Sequence, residues 1–124
     1  MEPTESENPE VANVGLMFAR ALTKGHFEAA FRMLAPSLRD DCQPEDLKAL
    51  YEQMTSYWTA PADHVELSNV VGDWPGKEEG DAGWAFVSVD SLSGQGGACL
   101  EQVCVRVVEL SGQKLIAQIE WGRP

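Results

Sequence analysis

Cysteine is scarce in this chain, and long hydrophobic runs are absent from it. The 124 residues contain three cysteines, whereas small secreted domains that depend on disulfides carry a larger, even set. We therefore expect reduced thiols at Cys42, Cys99 and Cys104. No apolar run reaches the roughly 18 residues of a membrane span, and residues 1–10 lack the basic and apolar regions of a signal peptide. These absences predict a cytoplasmic protein with no membrane partner.

Basic residues are also few, because 9 Lys and Arg stand against 20 Asp and Glu, for a net charge of -11. Phosphate binding needs clustered Lys and Arg, so this balance argues against a nucleic-acid partner. Residues 1–10 hold 4 acids and no base, and residues 63–82 hold 6 acids and 1 base. We expect a disordered acidic tail over residues 1–8, a single domain over residues 9–124, and an acidic loop at 72–83.

The first half of the sequence has the apolar periodicity of helices. Val11, Val14 and Phe18 fall on one stripe after Pro9, which suits the first position of a helix. Gly25 is a typical stop, since glycine accepts the left-handed conformation that closes a helix. The pattern predicts three helices, which run from Pro9 to Gly25, from Phe27 to Pro36 and from Pro44 to Pro61.

After residue 61 the period changes to two, and β-branched and aromatic residues accumulate. We predict four strands, at approximately 65–71, 84–90, 98–110 and 115–121. Short connections at Gly94-Gln-Gly-Gly97 and Ser111-Gly112-Gln113 favour an antiparallel meander. Helices followed by strands indicate an α+β fold in which three N-terminal helices pack on a four-stranded antiparallel sheet.

The strands offer apolar side chains to both faces of this sheet. Val103, Val105 and Val107 share one face, which is core, while Arg106 and Val108 share the other. Three helices cover only one side, so the half-apolar second face is a candidate homodimer interface; the alternative is ordinary scattered surface residues. In the last strand, strict alternation sets one face, formed by Leu115, Ala117, Ile119 and Trp121, against the other, formed by Ile116, Gln118 and Glu120.

Three segments carry a family resemblance. They are Gly25-His-Phe-Glu-Ala-Ala-Phe-Arg-Met-Leu34, Gln43-Pro-Glu-Asp-Leu-Lys-Ala-Leu50 and the closing Ile119-Glu-Trp-Gly122. Over residues 9–122 the chain resembles the nuclear-transport-factor-2-like (NTF2-like) superfamily, although His26 stands where that family commonly has Asp. The resemblance implies a strongly curved sheet wrapped around helices into a cone, often dimeric through the sheet. It implies no single function, because the scaffold holds dehydratases, isomerases, cyclases and binding modules.

Catalysis in such a cone needs a carboxylate or histidine facing an apolar cavity, with a donor for developing charge. Asp90 as base and Tyr51 as oxyanion donor form the sharpest pair, and Tyr57, Trp58 and His64 are candidates to line a ligand pocket. The alternative is a solvated turn residue at Asp90 and a core aromatic at Tyr51. No histidine or cysteine stands at metal-ligand spacing, so we expect neither a metal site nor a cofactor.

Trp74 and Pro75 in the acidic loop are the candidate contacts for a basic protein partner, because an exposed Trp in an acidic surround is typical of interface anchors. The alternative is that Trp74 covers the mouth of the cone. The sequence thus predicts a non-catalytic module that binds a small apolar molecule or a protein. Two alternatives stay open: a cofactor-independent lyase or isomerase, and an acidic inhibitor or immunity-type protein.

Overall fold

The protein has a helical layer on one face of a four-stranded antiparallel sheet. The computed structural model describes residues 9–58, 60–91 and 100–122; the expected tail at 1–8, the loop at 94–97 and Cys99 lie outside them. The strands are hydrogen-bonded in the order β1-β2-β3-β4, which confirms the α+β class and the antiparallel meander. The elements are α1 (Pro9–Thr23), α2 (Phe27–Arg32), α3 (Pro36–Asp41), α4 (Pro44–Met54), β1 (His64–Val71), β2 (Asp81–Asp90), β3 (Leu100–Leu110) and β4 (Gln113–Gly122).

The described part of the helical layer has four helices where the sequence predicted three. Pro36, expected to end the second helix, is the first residue of α3, and α2 already ends at Arg32. Proline suits a first helical turn because the N–H that it lacks would have no partner there. The last helix begins at Pro44 as expected, but it ends at Met54, well before Pro61. Thr55, Trp58 and residues 60–63, which follow the helix, line a cleft.

The end of α1 is closed by Gly25, as the sequence predicted. Its φ is +77°, a conformation that glycine adopts without a steric penalty. The Gly25 N–H donates to the Leu22 carbonyl at 3.1 Å, and the His26 N–H donates to the Ala21 carbonyl at 2.8 Å. These two bonds form a Schellman motif. The motif fixes the C-terminal end of α1, where the cleft begins.

The core lies between α1 and the sheet. Phe18 and Leu22 of α1 are fully buried, as are Val105 and Val107 of β3. Burying one such side chain stabilises the fold by about 1.5–3 kcal/mol. Because α1 crosses the sheet face that carries these residues, that face is filled by side chains along the length of the helix.

The register of β4 corrects the predicted faces of the last strand. Val107 pairs with Ile116 and Val105 pairs with Ile119, so Ala117 is an extra residue opposite β3. This β-bulge breaks the strict alternation, and Ile116, which is fully buried, shares the core face with Ile119. Register shifts also occur within β1 and at the start of β2, and such shifts bend a strand.

The face turned away from the helices, called here the outer face, is half-exposed. Trp84 and Phe86 of β2 project from it, because they alternate with buried residues of the same strand. Their cross-strand neighbours on β3 are Arg106 and Cys104. The outer face therefore mixes aromatic and charged groups, and a homodimer through it stays a prediction.

Candidate functional site

A concave site opens beside the C-terminal ends of α1 and α4. It is a cavity of about 410 Å³, within the size range of small-molecule sites. Its walls combine two aromatic side chains, three hydroxyl groups and the chain that follows α4. The lining residues are Thr23, Tyr51, Thr55, Trp58, Ala60, Pro61 and Ala62.

A second cavity of about 310 Å³ adjoins the first. Thr23 and Ala62 line both, so the two cavities meet at these residues. The second one holds two cationic side chains, and its lining residues are Arg20, Thr23, Lys24, Ala62, Asp63, His64 and Val65. A compartment with two aromatic side chains and a compartment with two cationic side chains thus lie side by side. We call the pair of cavities the cleft.

His64 borders the second compartment at the start of β1, and its ring is hydrogen-bonded to a carboxylate. It pairs with Asp90 across β1 and β2, and its Nδ1 lies 2.7 Å from Asp90 Oδ1. A carboxylate only accepts hydrogen bonds, so Nδ1 carries the proton and Nε2 of the neutral ring is an acceptor. The arrangement leaves Nε2 as the ring atom that can bond a ligand or take a proton.

Tyr51 lies in the first compartment, on α4. Its ring contacts that of Phe27, with 6.3 Å between centroids. Burial raises the pKa of the Tyr51 phenol, so the hydroxyl remains a donor at neutral pH. The structure therefore places Tyr51, Trp58 and His64 around the cleft, with Asp90 hydrogen-bonded behind His64. A direct Tyr51 and Asp90 pairing stays a prediction.

Tyr57 lies at a different place, where it caps a buried carboxylate that sequence reasoning missed. Its hydroxyl donates to Glu101 and also lies 3.2 Å from the Leu100 carbonyl oxygen. Glu101 is only 2% exposed. The signal was present in the sequence, since Glu101 has the same parity on β3 as Val103 and the other core valines. Tyr57 is not among the described residues that line the cleft.

Trp74 folds onto the outer face rather than over the helical layer. Its ring contacts Trp84 edge to face, with 6.5 Å between centroids. Lys77 holds its Nζ 5.7 Å from the centre of the Trp74 ring and donates to the Gly72 carbonyl at 2.7 Å. Pro75, beside Trp74, is exposed. Trp74, one of the two predicted partner contacts, therefore lies on the outer face, and Pro75 is an exposed neighbour in the chain.

Two other features, a metal site and a membrane-spanning helix, are not found among the described residues. Within 9–58, 60–91 and 100–122, no group of three or more His, Cys, Asp and Glu side chains is arranged to hold a metal ion. In the same ranges, no helix combines the length and the apolar character needed to cross a bilayer. Cys42 and Cys104 are buried free thiols. The candidate functional surfaces are the cleft and the outer face.

The chain was also compared with known proteins. No model of a protein family, no curated protein and no solved structure matches it. The NTF2-like resemblance therefore stays a prediction from the sequence.

Proposed function

We propose that this protein is a non-catalytic binding module that holds a small organic acid in the cleft. The observation that carries the proposal is the junction of the two compartments at Thr23 and Ala62. A ligand that spans the junction places its apolar body on one side and its carboxylate on the other. An NTF2-like cone, in which helices and sheet enclose a ligand, is the finer form of the fold that suits this role.

The apolar body of the ligand would lie against Tyr51 and Trp58. Both aromatic side chains are half-buried and border the larger compartment. Aromatic rings provide large contact areas with little loss of side-chain entropy. The phenol of Tyr51, kept protonated by burial, offers one hydrogen bond to a polar atom of the ligand.

The carboxylate would lie near Arg20 and Lys24. These two cations share the smaller compartment with a single described carboxylate, that of Asp63. Screening by salt limits exposed charges to a range of about 10 Å, so a bound carboxylate would respond to Arg20 and Lys24, and to nearby Asp63 and Asp90, more than to the distant part of the net charge of -11. Such attraction favours an acid over a neutral ligand of the same shape.

Phenylacetate and phenylacetamide test the proposal, because they differ in charge and little in shape. Each is titrated into the protein and followed by the amide signals of the cleft in heteronuclear NMR spectra. We expect saturable shifts at Thr23 and Ala62 with phenylacetate, and binding weaker by about tenfold for the amide. Equal affinities, or shifts that do not saturate, would contradict the proposal.

Variants locate the charge effect. Arg20→Gln and Lys24→Gln should each weaken phenylacetate binding by about three- to tenfold and leave phenylacetamide unaffected. Lys48→Gln is the matched control, because Lys48 is an exposed cation on α4 outside the cleft. If Lys48→Gln weakens phenylacetate binding as much as the other two, the charge effect is general and the cleft is not the site.

A second candidate function, a cofactor-independent lyase or isomerase, is favoured by one observation. Asp90 orients His64 so that Nε2 is available as a general base, while Tyr51 supplies a donor in the adjoining compartment. Exchange of the acidic protons of phenylacetone in heavy water measures this capacity. Catalysed exchange that His64→Gln abolishes would support the enzyme, and exchange at the buffer rate would contradict it.

A further inference from the structure

Three aromatic side chains form a patch on the outer face. Trp84 contacts Trp74 at 6.5 Å and Phe86 at 6.3 Å between ring centroids. With Val71 and Glu120 these rings line a hollow of about 220 Å³. We call these five residues the aromatic patch. It lies on the side of the sheet opposite the α1 core, because Trp84 and Phe86 alternate with buried residues of β2.

Carboxylates flank the patch on two sides. Glu120 borders the hollow itself, and Glu78 and Asp81 border a second hollow of about 260 Å³ that shares Trp74 and Trp84 with the first. Asp81 is held by Arg106, whose Nη1 lies 2.6 Å from Asp81 Oδ1. Glu78 and Glu120 are exposed. Aromatic rings edged by exposed carboxylates are the surroundings that a desolvated cation prefers.

We infer that the aromatic patch binds a Lys or Arg side chain of a basic protein partner. The molecule already places one cation on these rings, since Lys77 Nζ lies 5.7 Å from the centre of Trp74. That separation is within the range of a cation–π interaction. A second cation in the hollow would meet the rings of Trp84 and Phe86 and the carboxylate of Glu120.

Charge decides between a basic partner and a second copy of the chain. The exposed carboxylates Glu66, Glu78 and Glu120 outnumber the cations of this face, Lys77 and Arg106, and Arg106 is already paired with Asp81, so a dimer through it would bring mainly like charges together. Like charges brought together at an interface cost binding free energy. A basic segment gains from the same charges, and the net charge of -11 also speeds its encounter with the chain.

A peptide of alternating glycine and arginine tests the inference, with a glycine and glutamine peptide of equal length as the neutral control. Binding is measured by fluorescence anisotropy, and the indole N–H signals of Trp74 and Trp84 are followed by NMR. We expect the arginine peptide alone to bind and to shift both indole signals. Trp74→Ala, a change in a loop, should weaken its binding by about tenfold.

A matched pair of variants separates the patch from general charge attraction. Glu120→Gln and Glu52→Gln each remove one exposed carboxylate, but Glu52 lies on α4, away from the outer face. Glu120→Gln should weaken peptide binding by several times more than Glu52→Gln. Equal effects of the two variants, or unchanged binding by Trp74→Ala, would overturn the inference.

Light scattering of the free chain at micromolar concentration tests whether a second copy of the chain occupies the patch. We expect the mass of a monomer, with the patch open to the peptide. A dimer that Trp74→Ala dissociates would show that a second copy covers the patch, and it would overturn the inference in favour of the homodimer predicted from the sequence.

Discussion

Gly15 of α1 lies so close to Ala85 of β2 that a Cβ added to the glycine would be 2.6 Å from the Ala85 Cβ. The added atom would also be 3.2 Å from Val87 Cγ2. Both neighbours are buried on a central strand, so they have little freedom to move. The helix can therefore pack this close to the sheet only because Gly15 has no side chain.

Gly15→Ala should lower the free energy of unfolding by about 1–3 kcal/mol, because overpacking outweighs the gain in helix propensity. Urea denaturation followed by circular dichroism measures the change. Asn13→Ala, on the exposed face of the same helix, is the control and should leave stability equal or slightly higher. Equal stability of Gly15→Ala and the wild-type protein would mean that α1 is free to move off the sheet.

The sequence predicted most elements of the fold because their signals are local. The end of α1 is closed by two local hydrogen bonds, one from Gly25 to the carbonyl three positions earlier and one from His26 to the carbonyl five positions earlier, so a short stretch of sequence specifies the stop. Ile116 is different: its face depends on a bulge that is set by the packing of β4 on β3, and strict alternation gave the wrong answer. Pro36 is ambiguous in any sequence, because proline both ends a helix and begins one.

The candidate site was predictable only in part, for the same reason. Tyr51 was selected by residue type as a donor, and Trp58 and His64 as pocket residues; all three line the cleft, and their roles stay predictions. In the sequence, Arg20 and Lys24 have the character of ordinary cations near the C-terminal end of α1, where positive charges interact favourably with the helix dipole. Only the return of residues 60–64 past that end brings them beside His64, and no local pattern records this contact.

Tyr57→Phe should destabilise the fold, although Tyr57 is 44% exposed. The variant removes the hydroxyl that donates to Glu101, a carboxylate with only 2% exposure. Loss of a hydrogen bond to a buried charged group costs about 1–3 kcal/mol. Urea denaturation of this variant beside Tyr51→Phe, which keeps the Glu101 contact, should show the larger loss for Tyr57→Phe. A loss no greater than that of Tyr51→Phe would refute the structural role of the contact.

Asp81 should make stability depend on pH on the acid side. Burial raises the pKa of Asp81, but the N–H of Glu78 and the guanidinium of Arg106 outweigh it and hold the pKa below its ordinary value of 3.8. A group with a lowered folded pKa stabilises the fold above its unfolded pKa, and this stability is lost as the pH falls through the folded value. Asp81→Asn should therefore be less stable than the wild-type protein near about pH 7, and the difference should narrow below about pH 4.

The measurement is a series of denaturation curves from neutral to acidic pH for the wild-type protein and Asp81→Asn. Asp73→Asn is the control, because Asp73 is an exposed acid in the loop that precedes β2 and should show a small, nearly constant difference. If the difference in unfolding free energy between the wild-type protein and Asp81→Asn stays constant down to about pH 3, the Arg106 contact does not act through the charge of Asp81.

Cys42 and Cys104 should react slowly with thiol reagents while the protein is folded. Burial and, to a smaller extent, the charge of Glu120 raise the pKa of Cys104 from 9.0 to about 11, so only about one molecule in a thousand carries the thiolate at pH 8. Burial, followed by Asp46 and Asp41, also raises the pKa of Cys42. Since the thiolate is the reactive form and both side chains are buried, access and ionisation act in the same direction.

In a Cys99→Ser variant, which leaves these two thiols, Ellman's reagent should release its colour slowly from the folded protein and rapidly after unfolding in urea. A fast-reacting thiol in the folded variant would show that β3 or the end of α3 opens on the timescale of the assay, because a closed fold exposes neither sulfur.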